Sequence, residues 1–159
     1  MVHLLIVSML AIFAPQSAAV GPHWTWPLPG SPVVVRGFDP PSAPWGSGHR
    51  GVDLAAAPGT VVLAAGGGTV AFAGNVAGQP VVSIDHPGGL RTTYEPVTAI
   101  VHSGDSVSLA QPIGVLAAGH PGCVVAGCLH WGLRREQTYL DPLALLRPLH
   151  IRLKPLVVG

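Results

Sequence analysis

Residue types that bind metals recur at close spacing in two places. The first is His49-Arg50-Gly51-Val52-Asp53, where an imidazole and a carboxylate stand four positions apart. Gly48 and Gly51 leave the backbone free to bend the two side chains together. Both groups are good zinc ligands. Taken alone, the pair reads as a surface histidine and a turn aspartate, because that spacing arises often by chance. The second place is Cys128-Leu129-His130-Trp131, whose histidine stands seventy-seven residues beyond Asp53. Residues two apart in a strand share a face, so Cys128 and His130 project together while Leu129 and Trp131 go to the other side. His49, Asp53 and His130 then make two near donors and one remote one. Three protein ligands with an open fourth position is the arrangement of a catalytic zinc. Eight histidines against a single lysine, Lys154, point the same way.

Such donors need a rigid scaffold. Valine-rich runs of four to six residues follow one another at Thr60–Ala65, Thr69–Ala73, Pro80–Asp85, Leu90–Tyr94, Ser106–Leu109 and Ile113–Ala117. Turn chemistry separates them, as at Gly66-Gly67-Gly68 and His86-Pro87-Gly88-Gly89. Evenly spaced short strands predict an all-β fold with an antiparallel β-sheet core over residues 45–146. No twelve-residue helix finds room before Thr138, and Asp141–Leu146 is long enough for a short C-terminal helical turn. Residues 20–44 carry seven of the seventeen prolines. They read as an extended lead-in with at most an edge strand at Val33–Val35, since proline cannot donate to a sheet ladder. The tail at 147–159 has no assigned role.

Composition excludes several functions. Charged residues are 9% of the chain and the net charge is +1, so the basic stripe of a nucleic-acid binder is missing. Leu4–Ala14 is an apolar run of eleven residues, too short for a bilayer that takes about 20. Ser17-Ala18-Ala19 after it reads as a cleavage site, making residues 1–19 an export signal. The expected product is an exported protein with no stable membrane insertion. Outside the cell, two cysteines and none spare imply a Cys123–Cys128 disulfide. The competing reading makes Cys128 a fourth zinc ligand that closes the site. A cysteine nucleophile would need a free thiol of lowered pKa. A lipoyl- or biotin-carrier domain needs a lysine at a hairpin tip, and Lys154 lies in the tail.

The ordered series His49-x-x-x-Asp53, Gly59-Thr60-Val61-Val62, Ala64-Ala65-Gly66-Gly67-Gly68-Thr69-Val70, Gly104-x-x-Val107, Ile113-Gly114 and Cys128-Leu129-His130-Trp131 resembles the LytM/lysostaphin-type zinc endopeptidases. The likeness runs from about Trp24 to Leu146. It implies a β-sandwich-like core with a groove over the sheet, a single zinc ion (Zn2+) on His49, Asp53 and His130, and cleavage of peptide stems or cross-links in peptidoglycan by a secreted or wall-associated monomer. Two departures stand out. The family's second motif is His-x-His, and Cys128 replaces its first histidine. The family's Tyr-x-His-Leu becomes Tyr94-Glu95-Pro96-Val97. Both accessory histidines are therefore lost, and Glu95 and His120 are the nearest candidates in sequence to compensate. Their ordinary readings are a solvated carboxylate and a loop residue. The alternative function is a catalytically degenerate domain that binds cell wall or regulates another wall hydrolase.

The remaining singular residues take ordinary readings. His23, His86, His102 and His150 fall in turns or lead-ins, with His86 capping a hairpin. Trp45 and Trp131 flank the two metal segments and are read as packing residues, or else as the lining of a substrate cleft. Arg134-Arg135 reads as a solvated pair at a strand end, with holding an acidic peptide as its other use.

Overall fold

A computed structural model describes residues 23–43, 45–123 and 125–147. The export signal read at 1–19, His150 and residues 148–159 lie outside the described residues. The strands are β1 Val34–Arg36, β2 Gly51–Ala55, β3 Val61–Leu63, β4 Gly68–Val76, β5 Gln79–His86, β6 Leu90–Glu95, β7 Val97–Ala99, β8 Ser106–Val107, β9 Pro112–Leu116, β10 Cys128–Arg135 and β11 Thr138–Leu140. The main sheet runs β1-β2-β10-β6-β5-β4-β8, with β11 paired to one end of β10, and every pairing is antiparallel. A second antiparallel sheet has the order β3-β9-β7. The only helix among the described residues is a 3-10 turn at Pro142–Leu146, started by Asp141, whose Oδ1 accepts from the Leu143 amide at 2.9 Å. The all-β, antiparallel expectation and the terminal turn both match.

Alternation along three central strands sorts their side chains. In β10, Leu129, Trp131 and Leu133 go inward and are buried. Val52 and Leu54 of β2 do the same, as do Thr92 and Tyr94 of β6. Val62, Ile113, Leu116 and Val97 of the second sheet belong to the same apolar cluster. The strands β2, β7 and β11 were not anticipated. Gly51–Ala55 alternates correctly, but its glycine and its two polar neighbours resemble a bend. The expected edge strand is shifted by one residue, to Val34–Arg36.

The lead-in is more than a strand and a tether. The Thr25 amide donates to the Ala65 carbonyl at 2.9 Å and the Leu63 amide to that of Pro27 at 2.8 Å. These bonds press Trp24 and Trp26 on the core and bury Leu28. Trp26 lies 6.4 Å from Trp131, ring to ring. Trp24 packs so closely on Gly66 that a Cβ there would come within 2.6 Å of the indole. That contact is the physical use of the first glycine in the Gly66–Gly68 turn.

His86 does close the hairpin, as the last paired residue of β5 opposite Leu90. It is nevertheless a core side chain, correcting its reading as an ordinary turn histidine. Its Nδ1 donates to the Gly67 carbonyl at 2.9 Å, and its Nε2 lies 2.7 Å from Thr92 Oγ1. Thr92 Oγ1 is 2.8 Å from the Tyr94 hydroxyl, which accepts from the Ala65 amide at 3.0 Å. Burial lowers the His86 pKa and pushes that of Tyr94 up to about 12.

Candidate metal centre

The register of β2, β10 and β6 builds the site. Asp53, His130 and Glu95 stand side by side in one row across these strands, all on the outward face. Next to His130, Gly51 is so tightly packed that a Cβ would meet the imidazole at 2.8 Å and the Trp131 carbonyl at 2.4 Å. Only glycine lets the ring lie there. His49 arrives just before β2, fixed by reciprocal backbone bonds with Asp39 of 2.7 and 3.0 Å. Its Nδ1 lies 2.6 Å from the Gly37 carbonyl and donates to it, so the neutral ring presents a lone pair at Nε2.

Three donor atoms converge. His49 Nε2 is 3.0 Å from Asp53 Oδ1, His130 Nδ1 is 2.9 Å from that same oxygen, and the two nitrogens are 3.1 Å apart. Ligands held 2.0–2.1 Å from a tetrahedral zinc stand about 3.3 Å from each other. The triangle is therefore close to zinc size. Its chemistry also asks for a cation. A proton on His130 Nδ1 can satisfy Asp53 Oδ1, but the His49 lone pair still faces that oxygen repulsively. Asp53 is fully buried, and its Oδ2 has no hydrogen-bond partner among the described residues. Burial alone would raise its carboxyl pKa. Hydrogen bonds from His120 and His130, with the positive field that His49 and His130 exert when protonated, override that and hold it far below the ordinary carboxylate range. The residues fit a zinc ion.

His120 and Glu95, the candidates to compensate for the lost histidines, whose ordinary readings are a loop histidine and a solvated carboxylate, both come to the site. His120 Nε2 lies 3.2 Å from Asp53 Oδ1, and its ring stacks on that of His130 at 5.5 Å. Its side chain is 10% exposed, and its Nδ1 is buried without a partner among the described residues. Glu95 is half-buried and lines a groove of about 590 Å³ that begins at His130. Cys128 is bonded to Cys123 and buried, so it is neither a fourth ligand nor a thiol nucleophile. The disulfide ties the loop bearing His120 to the strand bearing His130. Trp131 packs in the core as expected, whereas Trp45 is 88% exposed, which corrects its reading as a packing residue. The Gly37 carbonyl, which orients His49, was missed, because no side-chain pattern marks a main-chain acceptor twelve residues upstream.

An antiparallel β-sheet with a His/Asp/His donor set at one end of an open groove defines the class as a lysostaphin-like, peptidase-type domain. The model of peptidase family M23 matches residues 47–142, and the chain belongs to that family. It is 59% identical over 135 residues to the Mycobacterium tuberculosis protein Rv2891, covering 82% of this chain and 54% of that one. It is 31% identical over 128 residues to the Escherichia coli lipoprotein YgeR, covering 79% and 47%. The chain thus spans about half the length of the curated relatives it matches. Among solved structures it is similar to lysostaphin of Staphylococcus simulans, with a TM-score of 0.65 and 27% identity, covering 81% of this chain and 55% of that one.

Proposed function

We propose that this chain is an exported, zinc-dependent endopeptidase that cleaves peptide stems or cross-links of bacterial peptidoglycan. The observation that carries the reading is the convergence of His49 Nε2, Asp53 Oδ1 and His130 Nδ1, the last of these on a residue that lines the groove. Membership of a peptidase family and likeness to lysostaphin support the substrate class. A relative named as a lipoprotein supports an envelope location. Zinc in such a set supplies Lewis acidity and brings the pKa of a water to about 7. His49 is oriented for this by Gly37, and Asp53 stays ionised by the causes given above.

Loss of general acid–base help costs about 10²–10⁴-fold, so replacements for the two missing histidines matter. We assign those roles to Glu95 and His120. Glu95, beside His130 and facing the groove, is in position to take a proton and return it to the departing amine. His120 offers a second imidazole nitrogen, Nδ1, that no other described residue engages. Purified protein incubated with peptidoglycan should release soluble muropeptides, and a chelator should stop the release. His120→Ala should lower the rate about 100-fold while zinc content is unchanged.

A second reading is favoured by one observation, the consumption of Cys128 in a disulfide where the family has a histidine. The chain would then hold wall peptide, or regulate another wall hydrolase, without cutting. Co-sedimentation with insoluble peptidoglycan and no muropeptide release under zinc-replete conditions would select it.

A further inference from the structure

The groove continues away from the metal row in two more rows set by strand register. Gly132, Thr93 and Ser83 lie side by side next, on β10, β6 and β5. Beyond them come Arg134, Arg91 and Asp85. The middle row has small side chains or none, which makes a low floor. The far row is two cations against one anion. Both Asp85 oxygens are taken by Arg91, through Nε at 2.5 Å and Nη2 at 2.7 Å. Arg134 is left with one hydrogen bond among the described residues, from Nη1 to the Glu136 carbonyl at 3.3 Å. Like charges directly opposite on a sheet are unfavourable, so this placement asks for a second anion.

Resting on the peptidase reading above, we infer that Arg134, with Arg91 beside it, is the subsite for a carboxylate of the substrate peptide, and that the groove measures its distance from the cleaved bond. His130 to Arg134 is four residues, about 13 Å at 3.3 Å per residue. An extended peptide covers that in three to four residues. The substrate class is therefore a short peptide with a free carboxylate, on a side chain or at its end, three to four residues from the scissile bond. Arg134 is half-buried, and a guanidinium binds a carboxylate through a paired, charge-assisted contact. Tyr139, opposite Arg134 on β11 and 39% exposed, forms the rim. Arg135, the other half of the pair seen in the sequence, is exposed and does not line the groove.

The test is fluorescence anisotropy of the whole protein with two labelled tetrapeptides. They are identical except that one carries a free carboxylate and the other the carboxamide. The wild type is expected to bind the acid about tenfold more tightly, and Arg134→Gln to bind both equally. Equal affinities in the wild type, or a preference that survives in Arg134→Gln, overturns the inference. So does the absence of measurable binding by either peptide. Hydrolysis is scored separately: a carboxylate preference without cleavage refutes the peptidase reading and leaves the subsite standing. A wild-type circular dichroism spectrum from the variant excludes misfolding as the cause.

Discussion

The same sheet carries two buried polar clusters, one on each face, the inner with one histidine and the outer with three, and they differ in what their polar atoms lack. On the inner face, the chain from the Ala65 amide through Tyr94, Thr92 and His86 to the Gly67 carbonyl gives each polar atom a protein partner. On the outer face, three imidazole nitrogens crowd one oxygen of Asp53, while its second oxygen and His120 Nδ1 have no partner among the described residues. Buried polar groups cost free energy unless they are paired. The inner chain of hydrogen bonds is thus closed by protein groups, whereas the outer cluster leaves atoms that a cation would satisfy on the reading proposed above. A buried histidine alone does not mark a ligand site: the inner face leaves one donor, Trp131 Nε1, without a partner among the described residues, whereas the outer face gathers two such atoms, one of them a carboxylate oxygen.

The sharpest way to break this contrast is to remove the charge from Asp53. Asp53→Asn keeps the shape, and its zinc affinity, measured by competition with a chelating dye, should fall by more than about 100-fold. Outer-sphere partners alone are worth 10–100-fold. Undiminished affinity would remove the distinction between the clusters.

Next in size is the disulfide on the outer side. Cys123→Ser together with Cys128→Ser opens a short loop, which should cost about 2 kcal/mol in urea unfolding. Zinc affinity should change much less than muropeptide release, because the loop carries His120 and none of the three donors.

Tyr94→Phe tests the inner cluster. It strands the Ala65 amide and disturbs Thr92, for a loss of about 1–2 kcal/mol with zinc affinity unchanged. A matching fall in zinc affinity would mean that the two faces are coupled.

The smallest effect is on pH dependence. Burial lowers the His86 pKa from its ordinary 6.5, so below about that pH the unfolded chain binds the extra proton and the folded chain does not. Stability should be full above pH 7 and fall as pH drops through 6.5, until the depressed folded pKa is passed. Denaturation with chelator present, which removes metal linkage, should show this slope, and His86→Phe should flatten it.

Much of the outer site was legible in the chain. Strand periodicity placed His130 opposite in sense to Leu129 and Trp131, and the spacing of His49 and Asp53 marked two donors. Glu95 and His120 were harder. Glu95 follows a tyrosine in a strand and looks like any solvated carboxylate, until register sets it beside His130. His120 lies in a loop with no periodicity, and only the disulfide and the fold around it bring its ring to Asp53. His86 failed as a turn residue for the opposite reason. Its sequence neighbours are turn formers, yet Trp24, sixty-two residues earlier, packs edge-on against its ring at 4.8 Å.

What the amino-acid order determined alone is local. It set the donor types, the alternation that sends His130 and Arg134 to one face and Trp131 to the other, and the glycines that allow close approach. Which strands became neighbours, and in what register, was decided by tertiary packing. Side-chain alternation repeats every two residues and names a face, but a slide of two residues keeps that face while changing every partner. Burying Trp131, Tyr94 and Leu54 together selects one alignment. That alignment puts an aspartate, a histidine and a glutamate in one row, with two arginines four residues away.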